Sequence, residues 1–488
     1  MSKRKHTVLL VVAGVFVLAA FAVLLFEFVL PGRRSITLPS LPGLASTAEE
    51  YDPDLLAPGI KKIVNEQLMT SITVKGEKID GLLASSYETS MRRGFPGVKT
   101  AGFLASDQIR YGRALIRMNK RSEFFNWAEA FDLAFRPGEA DFHAAALRSV
   151  AVDDMLIDHT QMTDDRSDKE GFDDLSDNGH EFDRSDDSTI DFLDEAEKIK
   201  FEHQGSAGEC PDVFEPVDQH WSVTLSYTRA LMEGYQKFGG RELERRIRKE
   251  SDVLLPVFRD AKTDCELLAG PRMLLALDEW DDPIPGSTPT PGEEAPIERS
   301  PGTHLADIDL WAMSALARFE PAWASIASDW QKILENAVLE SRLPLYASAY
   351  RSDTATYIAV TGGGVMSSTR EQLEIVVHLA EVGVVYRDFL SFIRSALRDE
   401  KRLPSGWNPV TGNPSGQSAT SSDYALALIL GRVANDTLLI DSAREAMMRH
   451  YASSQTSDIF GGWYRAGSTS HTFRLVAEDN TAVLLALR

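Results

Sequence analysis

The chain has 488 residues, 43% of them hydrophobic and 25% charged, which is globular composition and more than enough chain to bury a large core without a disulfide framework. Lys and Arg number 51 against 73 Asp and Glu, a net charge of −22. So acidic a chain excludes phosphate-backbone binding, which needs basic patches, and nucleic acid is not an expected partner.

In chain order, Met1 to His6 is a basic stub and Val8–Phe26 an apolar run of 19 residues without a charge. That length suits a helix crossing about 30 Å of hydrocarbon, and Lys3, Arg4 and Lys5 before it favour an N-in orientation. A cleaved signal peptide competes, but its apolar region is shorter and ends in a small-residue cleavage pattern that Val29-Leu-Pro-Gly-Arg-Arg34 lacks. The expectation is a cell-membrane protein with one signal-anchor over residues 7–30, a stalk over 31–58 and an outward-facing body over 59–488.

Apolar residues then recur at helical spacing over Tyr111–Met118, Phe124–Phe135, Trp221–Phe238, Glu242–Phe258, Leu310–Ala317, Trp323–Ala337, Glu371–Leu397, Ser422–Val433 and Leu438–Tyr451. Helix alternates with short break, and no fixed-period repeat is visible, so an all-α toroid of helical hairpins is predicted rather than a solenoid. Two segments interrupt the pattern. Asp153–Glu197 carries 18 acids and 3 basic residues, and no window in it has the order of a calcium loop, so it reads as a solvated insertion. Residues 281–302 hold six prolines and read as a surface loop. The two cysteines, Cys210 and Cys265, have no metal-ligand spacing, and whether they pair is open. His220, His304 and His378 show no paired ligand spacing either, and neither metal nor cofactor is expected.

Three aspartates stand where helices begin: Asp107 in Ser106-Asp107-Gln-Ile-Arg-Tyr111-Gly112, Asp218 in Val217-Asp218-Gln-His-Trp221, and Asp309 in Asp307-Ile-Asp309-Leu-Trp311. Each residue type suits an N-cap. A toroid gathers several helix N-termini at one mouth, where carboxylates can instead flank a glycosidic bond as acid and base. Tyr111, Trp221, Tyr227, Trp311 and Trp407 offer rings for sugar faces or for core packing.

The Ser106–Gly112 stretch, with Leu115 and Phe124-Phe-Asn-Trp127, resembles the opening motif of family 8 glycoside hydrolases, particularly their membrane-anchored, exopolysaccharide-associated branch. Leu305-Ala-Asp-Ile-Asp-Leu-Trp311, Pro344-Leu-Tyr346, Tyr350–Tyr357 and His378-Leu-Ala-Glu-Val-Gly383 are similar to later family stretches, so the resemblance runs from about Asp80 to Arg488. It implies an (α/α)6 toroid and inverting hydrolysis of a β-linked bacterial exopolysaccharide. Asp107 falls at the general acid, where the family has Glu, Asp309 at the general base, and Asp218 at the sugar-orienting aspartate. Tyr111, Trp221, Trp311 and Asp307 become substrate-binding candidates. A polysaccharide synthase or export complex is a conceivable partner. The rival expectation is a catalytically impaired polysaccharide-binding module, because Asp is one methylene shorter than Glu.

Overall fold

The computed structural model describes residues 36–42, 53–90, 97–100, 102–136, 138, 141–149, 213–270, 273–274, 290–291, 298–469 and 471–487. The acidic segment Asp153–Glu197, Cys210 and much of the proline-rich loop lie outside them. Twelve α-helices are described: α1 (Pro53–Ile63), α2 (Ala105–Arg117), α3 (Arg121–Phe135), α4 (Trp221–Phe238), α5 (Arg241–Arg259), α6 (Leu310–Leu316), α7 (Trp323–Glu335), α8 (Thr369–Glu381), α9 (Arg387–Asp399), α10 (Ser421–Val433), α11 (Thr437–Met447) and α12 (Ala477–Ala486).

Six of them close a ring: α2 touches α4, α4 touches α6, α6 touches α8, α8 touches α10, α10 touches α12, and α12 returns to α2. α3, α5, α7 and α11 pack outside this ring on the member each follows. Enclosure on every side explains α12, whose Asp479, Asn480 and Thr481 are as buried as its Val483 and Leu484. Its polar groups are satisfied locally, as Asn480 accepts from the Trp463 amide at 2.9 Å and donates to the Trp463 and Val476 carbonyls. Two glycines permit the tightest approaches. A Cβ on Gly112 of α2 would lie 2.5 Å from Trp127 ring atoms, and one on Gly234 of α4 2.5 Å from Phe124, so helices α2, α3 and α4 pack as closely as they do only because these positions lack a side chain.

The all-α expectation is corrected here. Among the described residues seventeen short strands accompany the helices, in a five-stranded sheet (with Met69–Val74 beside Glu77–Leu83), two four-stranded sheets and smaller pairs. Their placement has a purpose: strands Gly102–Leu104, Val213–Gln219, Glu298–His304, Ser367–Ser368 and Thr472–Val476 each run directly into a ring helix or the short turn before it. These five strands therefore stand at the N-termini of five of the six ring helices. Strand Glu298–His304, which includes the end of the proline-rich loop, pairs with Cys265–Ala269 on one side and Ala349–Arg351 on the other. At two to seven residues each, such strands are too short to print a reliable alternation.

The expected membrane placement is corrected as well. Among the described residues no helix is long and apolar enough to cross a membrane, and Val8–Phe26 lies outside them. The described residues therefore give the reading of a single-pass membrane protein with an extracellular body no support. Of the expected stalk, residues 36–42 lie against the ring: the Ile36 amide donates to Tyr235 Oη at 3.3 Å, Gln236 donates to the Pro39 carbonyl at 3.2 Å, and Leu38 and Leu41 are buried.

Candidate active site

Within the ring lies a cavity of about 220 Å³, lined by five of the ring helices and by the turn that leads into the sixth. Ser106, Ile109, Arg110 and Arg113 come from α2, Ser226 and Arg229 from α4, and Leu426, Ile429, Ala482 and Leu485 from α10 and α12. Ala306, Asp307 and Asp309 come from the turn that leads into α6. Helix α8 presents Glu374, Val377, His378 and Glu381, the i, i+3, i+4, i+7 stripe that makes one helical face.

At the centre lies Arg229, itself buried. Its Nη1 donates to Asp309 Oδ2 and Glu381 Oε2, both at 2.7 Å, its Nη2 to Glu381 Oε1 at 2.5 Å, and its Nε to Glu233 Oε1 at 3.0 Å. Arg113 donates to the same Glu233 oxygen at 3.0 Å through Nε. Trp311 lies with its ring centroid 5.4 Å from the Arg229 guanidinium carbon. Burial alone would raise the carboxyls of Glu381 and Glu233, but the guanidiniums outweigh it and hold both below the ordinary range.

Asp309 is consumed by structure. It is the N-cap of α6, its Oδ1 accepting from the Ala312 amide at 2.8 Å while Oδ2 takes the Arg229 bond. Asp307, two residues earlier, faces the cavity with no guanidinium or helix amide bound to it, the Ser222 hydroxyl being its hydrogen-bonding neighbour. Burial pushes its carboxyl up to about 7, with nearby Glu374 pushing the same way and His378 opposing. Glu374 is likewise raised by burial, against the pull of Arg110 and Arg370. Both carboxyls therefore hold their protons to higher pH than exposed carboxyls do.

The remaining sequence candidates are scattered. Asp107 is 1% exposed and does not line the cavity; Arg110 of its own helix donates to its Oδ1 at 3.2 Å, and its Oδ2 is buried without a hydrogen-bond partner. Burial raises its carboxyl to about 6 against Arg110 and Arg370. It stands beside a junction where the first turns of α8, α10 and α12 are tied together. There Arg370 donates to Asp423 at 3.0 Å and pairs with Glu478, and Arg465 donates to Asp479 at 2.6 Å. Asp218 is exposed on strand Val213–Gln219, in a left-handed backbone conformation (φ 56°), and is not part of the cavity wall. Tyr111 is buried with its hydroxyl on Asn65 at 3.0 Å, and Trp221 is buried with Nε1 on the Thr263 carbonyl at 3.2 Å. Both are packing residues rather than walls of the cavity. Tyr227 and Trp407 are also buried and outside the wall.

Sequence reasoning missed Arg110, Arg229, Glu374 and Glu381. The signal for the last two was available: on a helix beginning near residue 369, Glu374, His378 and Glu381 fall on one face. Among the described residues, Asp309, His378 and Glu381 are the trio whose donor atoms approach within 4.8 Å of one another, the spacing that invites a metal ion. Arg229 already donates to both carboxylates, so the cation at that place is a guanidinium.

No family model matches the sequence, and no curated protein matches it. Solved structures do. A novel α-amylase from Clostridium perfringens aligns at a TM-score of 0.57 with 12% identity, over 89% of this chain and 96% of the amylase. A cold-adapted family 8 xylanase in complex with substrate aligns at 0.52 with 9% identity, over 92% and 93% of the two chains, and the same kind of enzyme aligns at 0.51 in a second structure. The chain has the fold of these glycoside hydrolases, family 8 included.

Proposed function

We propose that the chain hydrolyses a glycosidic bond in a β-linked bacterial exopolysaccharide, with inversion, and that Asp307 is its proton donor. The observation that carries this reading is the Asp307 carboxyl at the cavity, raised to about 7, with Glu374, also raised, on the same wall. A donor must hold its proton near the working pH and release it to the leaving oxygen. Burial supplies that condition at Asp307. Glu374 is the companion carboxylate that takes a proton from water as the bond breaks. Asp309, with both oxygens engaged, anchors the start of α6 and the Arg229 network instead of serving as base. The β-linkage is favoured by the sequence motifs and by the xylanase among the structural relatives.

The test is reducing-end release from β-1,4-xylan, mixed β-glucan, the producing cell's own exopolysaccharide and, because of the amylase relative, starch. Asp307→Asn is expected to abolish release, and proton NMR of the first product is expected to show the inverted anomer.

A second reading, a polysaccharide-binding module without turnover, is favoured by one observation: neither Asp107 nor Asp309 is a free carboxylate at the cavity. It predicts oligosaccharide binding, no release from any polymer, and no effect of Asp307→Asn on affinity.

A further inference from the structure

His378 of α8 is enclosed between the Arg229 network and the Asp307 turn. Its Nε2 lies 3.2 Å from the Ala306 carbonyl oxygen. A carbonyl only accepts, so Nε2 carries a hydrogen. Nδ1 is shut away from solvent and has no hydrogen-bond partner, yet it faces Asp309 Oδ1 and Glu381 Oε2, each 3.9 Å away. A neutral ring with its hydrogen on Nε2 would aim a lone pair at two carboxylates. An imidazolium aims an N–H at both.

The charges nearest the ring lead to the same state. Arg113 of α2 pairs with Glu233 of α4, and Arg117 of α2 faces the same carboxylate. The two carboxylates that His378 faces, Asp309 before α6 and Glu381 of α8, share Arg229 of α4 as their hydrogen-bonded cation, and a protonated His378 supplies the second. The other charged groups on the cavity wall are Arg110 of α2 and the Asp307–Glu374 pair. α10 and α12 face it with Leu426, Ile429, Ala482 and Leu485. A divalent ion bridging Asp309, His378 and Glu381 would have to displace that proton and sit against the Arg229 guanidinium, so the proton is the better occupant.

We propose that His378 is a positioning residue held as an imidazolium, whose Nε2–H grips the carbonyl immediately before Asp307 and whose charge stands where the trio would otherwise take a metal ion. Its meaning for catalysis rests on Asp307 being the donor; its protonation and its grip do not. The imidazolium biases the neighbouring acids: it is raised above the ordinary histidine value because Asp309 and Glu381 outweigh burial, and it in turn draws Asp307 and Glu374 downward. Without it Asp307 and Glu374 would each hold a proton to still higher pH.

The experiment is a nitrogen-15 NMR titration of the full chain with labelled histidine, the His378 ring signals being assigned in the unaltered chain by correlation with its backbone amide. Both ring nitrogens are expected to carry protons at pH 6.5, with a midpoint above that value. His378→Gln keeps an N–H donor for Ala306 and removes the charge. In this variant the Asp307 carboxyl, followed by carbon-13 NMR, is expected to titrate about one pH unit higher, the lower end of what an opposite charge within ~4–6 Å produces. His378→Ala is expected to show the same rise and also to broaden the Asp307 signal. A neutral His378 at pH 6.5, an unmoved Asp307 midpoint in His378→Gln, or zinc bound stoichiometrically by the unaltered chain with loss of the imidazolium signal would each overturn the proposal. The titration of the unaltered chain decides even if both variants fail to fold. If the chain shows no turnover, the donor reading fails while the NMR outcomes still decide this one; if turnover is present, the alkaline limb of kcat/KM in His378→Gln is expected to move upward with KM little changed.

Discussion

Replacing Asp307 by Asn is expected to make the protein more stable while it loses activity. In the unfolded chain an aspartate titrates near 3.8, and in the fold Asp307 is raised to about 7. Between those values the native state binds the proton that the unfolded state has released, so stability declines as pH rises through the window from about 4 to about 7. At 1.36 kcal/mol for each pH unit, the full displacement costs about 4 kcal/mol above pH 7. Asp307 keeps some surface toward the cavity, and water there lowers the cost, so about 2–4 kcal/mol is the expected gain for Asp307→Asn at pH 8. Near pH 4 the gain should vanish, because the native carboxyl is then already neutral. Urea unfolding of both proteins at pH 4 and pH 8 measures the difference, and the same samples supply the activity comparison. A loss of stability of similar size at both pH values would mean that Asp307 is a structural hydrogen-bonding group, and the donor assignment would fall with it.

Substitutions at three other positions probe the surroundings of the cavity. Arg229→Ala strands Asp309, Glu381 and Glu233 without their shared cation and is expected to cost about 3–5 kcal/mol in chemical unfolding, and Arg229→Lys should recover little because an ammonium cannot reproduce the forked bonds. Gly112→Ala drives a methyl against the Trp127 ring and is expected to lose about 1–3 kcal/mol, read as a lowered thermal midpoint. Asp107→Asn removes a buried carboxyl raised to about 6 from 3.8, so it is expected to stabilise by about 3 kcal/mol at pH 8 and not at pH 3, while retaining far more turnover than Asp307→Asn.

The helices were legible where they have one apolar face. α4, α5, α7, α10 and α11 lie close to the ranges that periodicity indicates, while the run Glu371–Leu397 divides into α8 and α9 around Gly383, whose positive φ of 92° suits a helix end. α12 was invisible for the opposite reason, since a ring helix buried on every side has no polar face to set a period. The strands escaped because they are two to seven residues long, and five of them are only brief lead-ins to a ring helix. At the cavity, sequence pointed to the turn Asp307-Ile-Asp309 and to the stretch beginning at His378, but not to the partner across the ring. Arg229 sits in the middle of α4, flanked by Thr228 and Ala230, and only the closed ring brings it to carboxylates 80 and 152 residues away.

The two aspartates of that turn divide the work according to what each can reach. A helix N-terminus offers free amides that favour an ionised carboxylate. Asp309 stands at the cap of α6 and accepts one of those amides, and the same geometry delivers its other oxygen to Arg229. A group so well satisfied as an anion is a poor source of protons. Asp307 precedes the cap, in the 3-10 turn Leu305–Asp307, where no ring-helix amide claims it and where Glu374 lies opposite rather than a guanidinium. The loss of the proton is disfavoured there by burial and by a like charge together. Asp107 shares the burial but faces Arg110 and the Arg370 junction outside the cavity, which leaves its proton with no leaving group to reach. Reach separates the three, and it is Asp307 alone that combines a held proton with a place on the cavity wall.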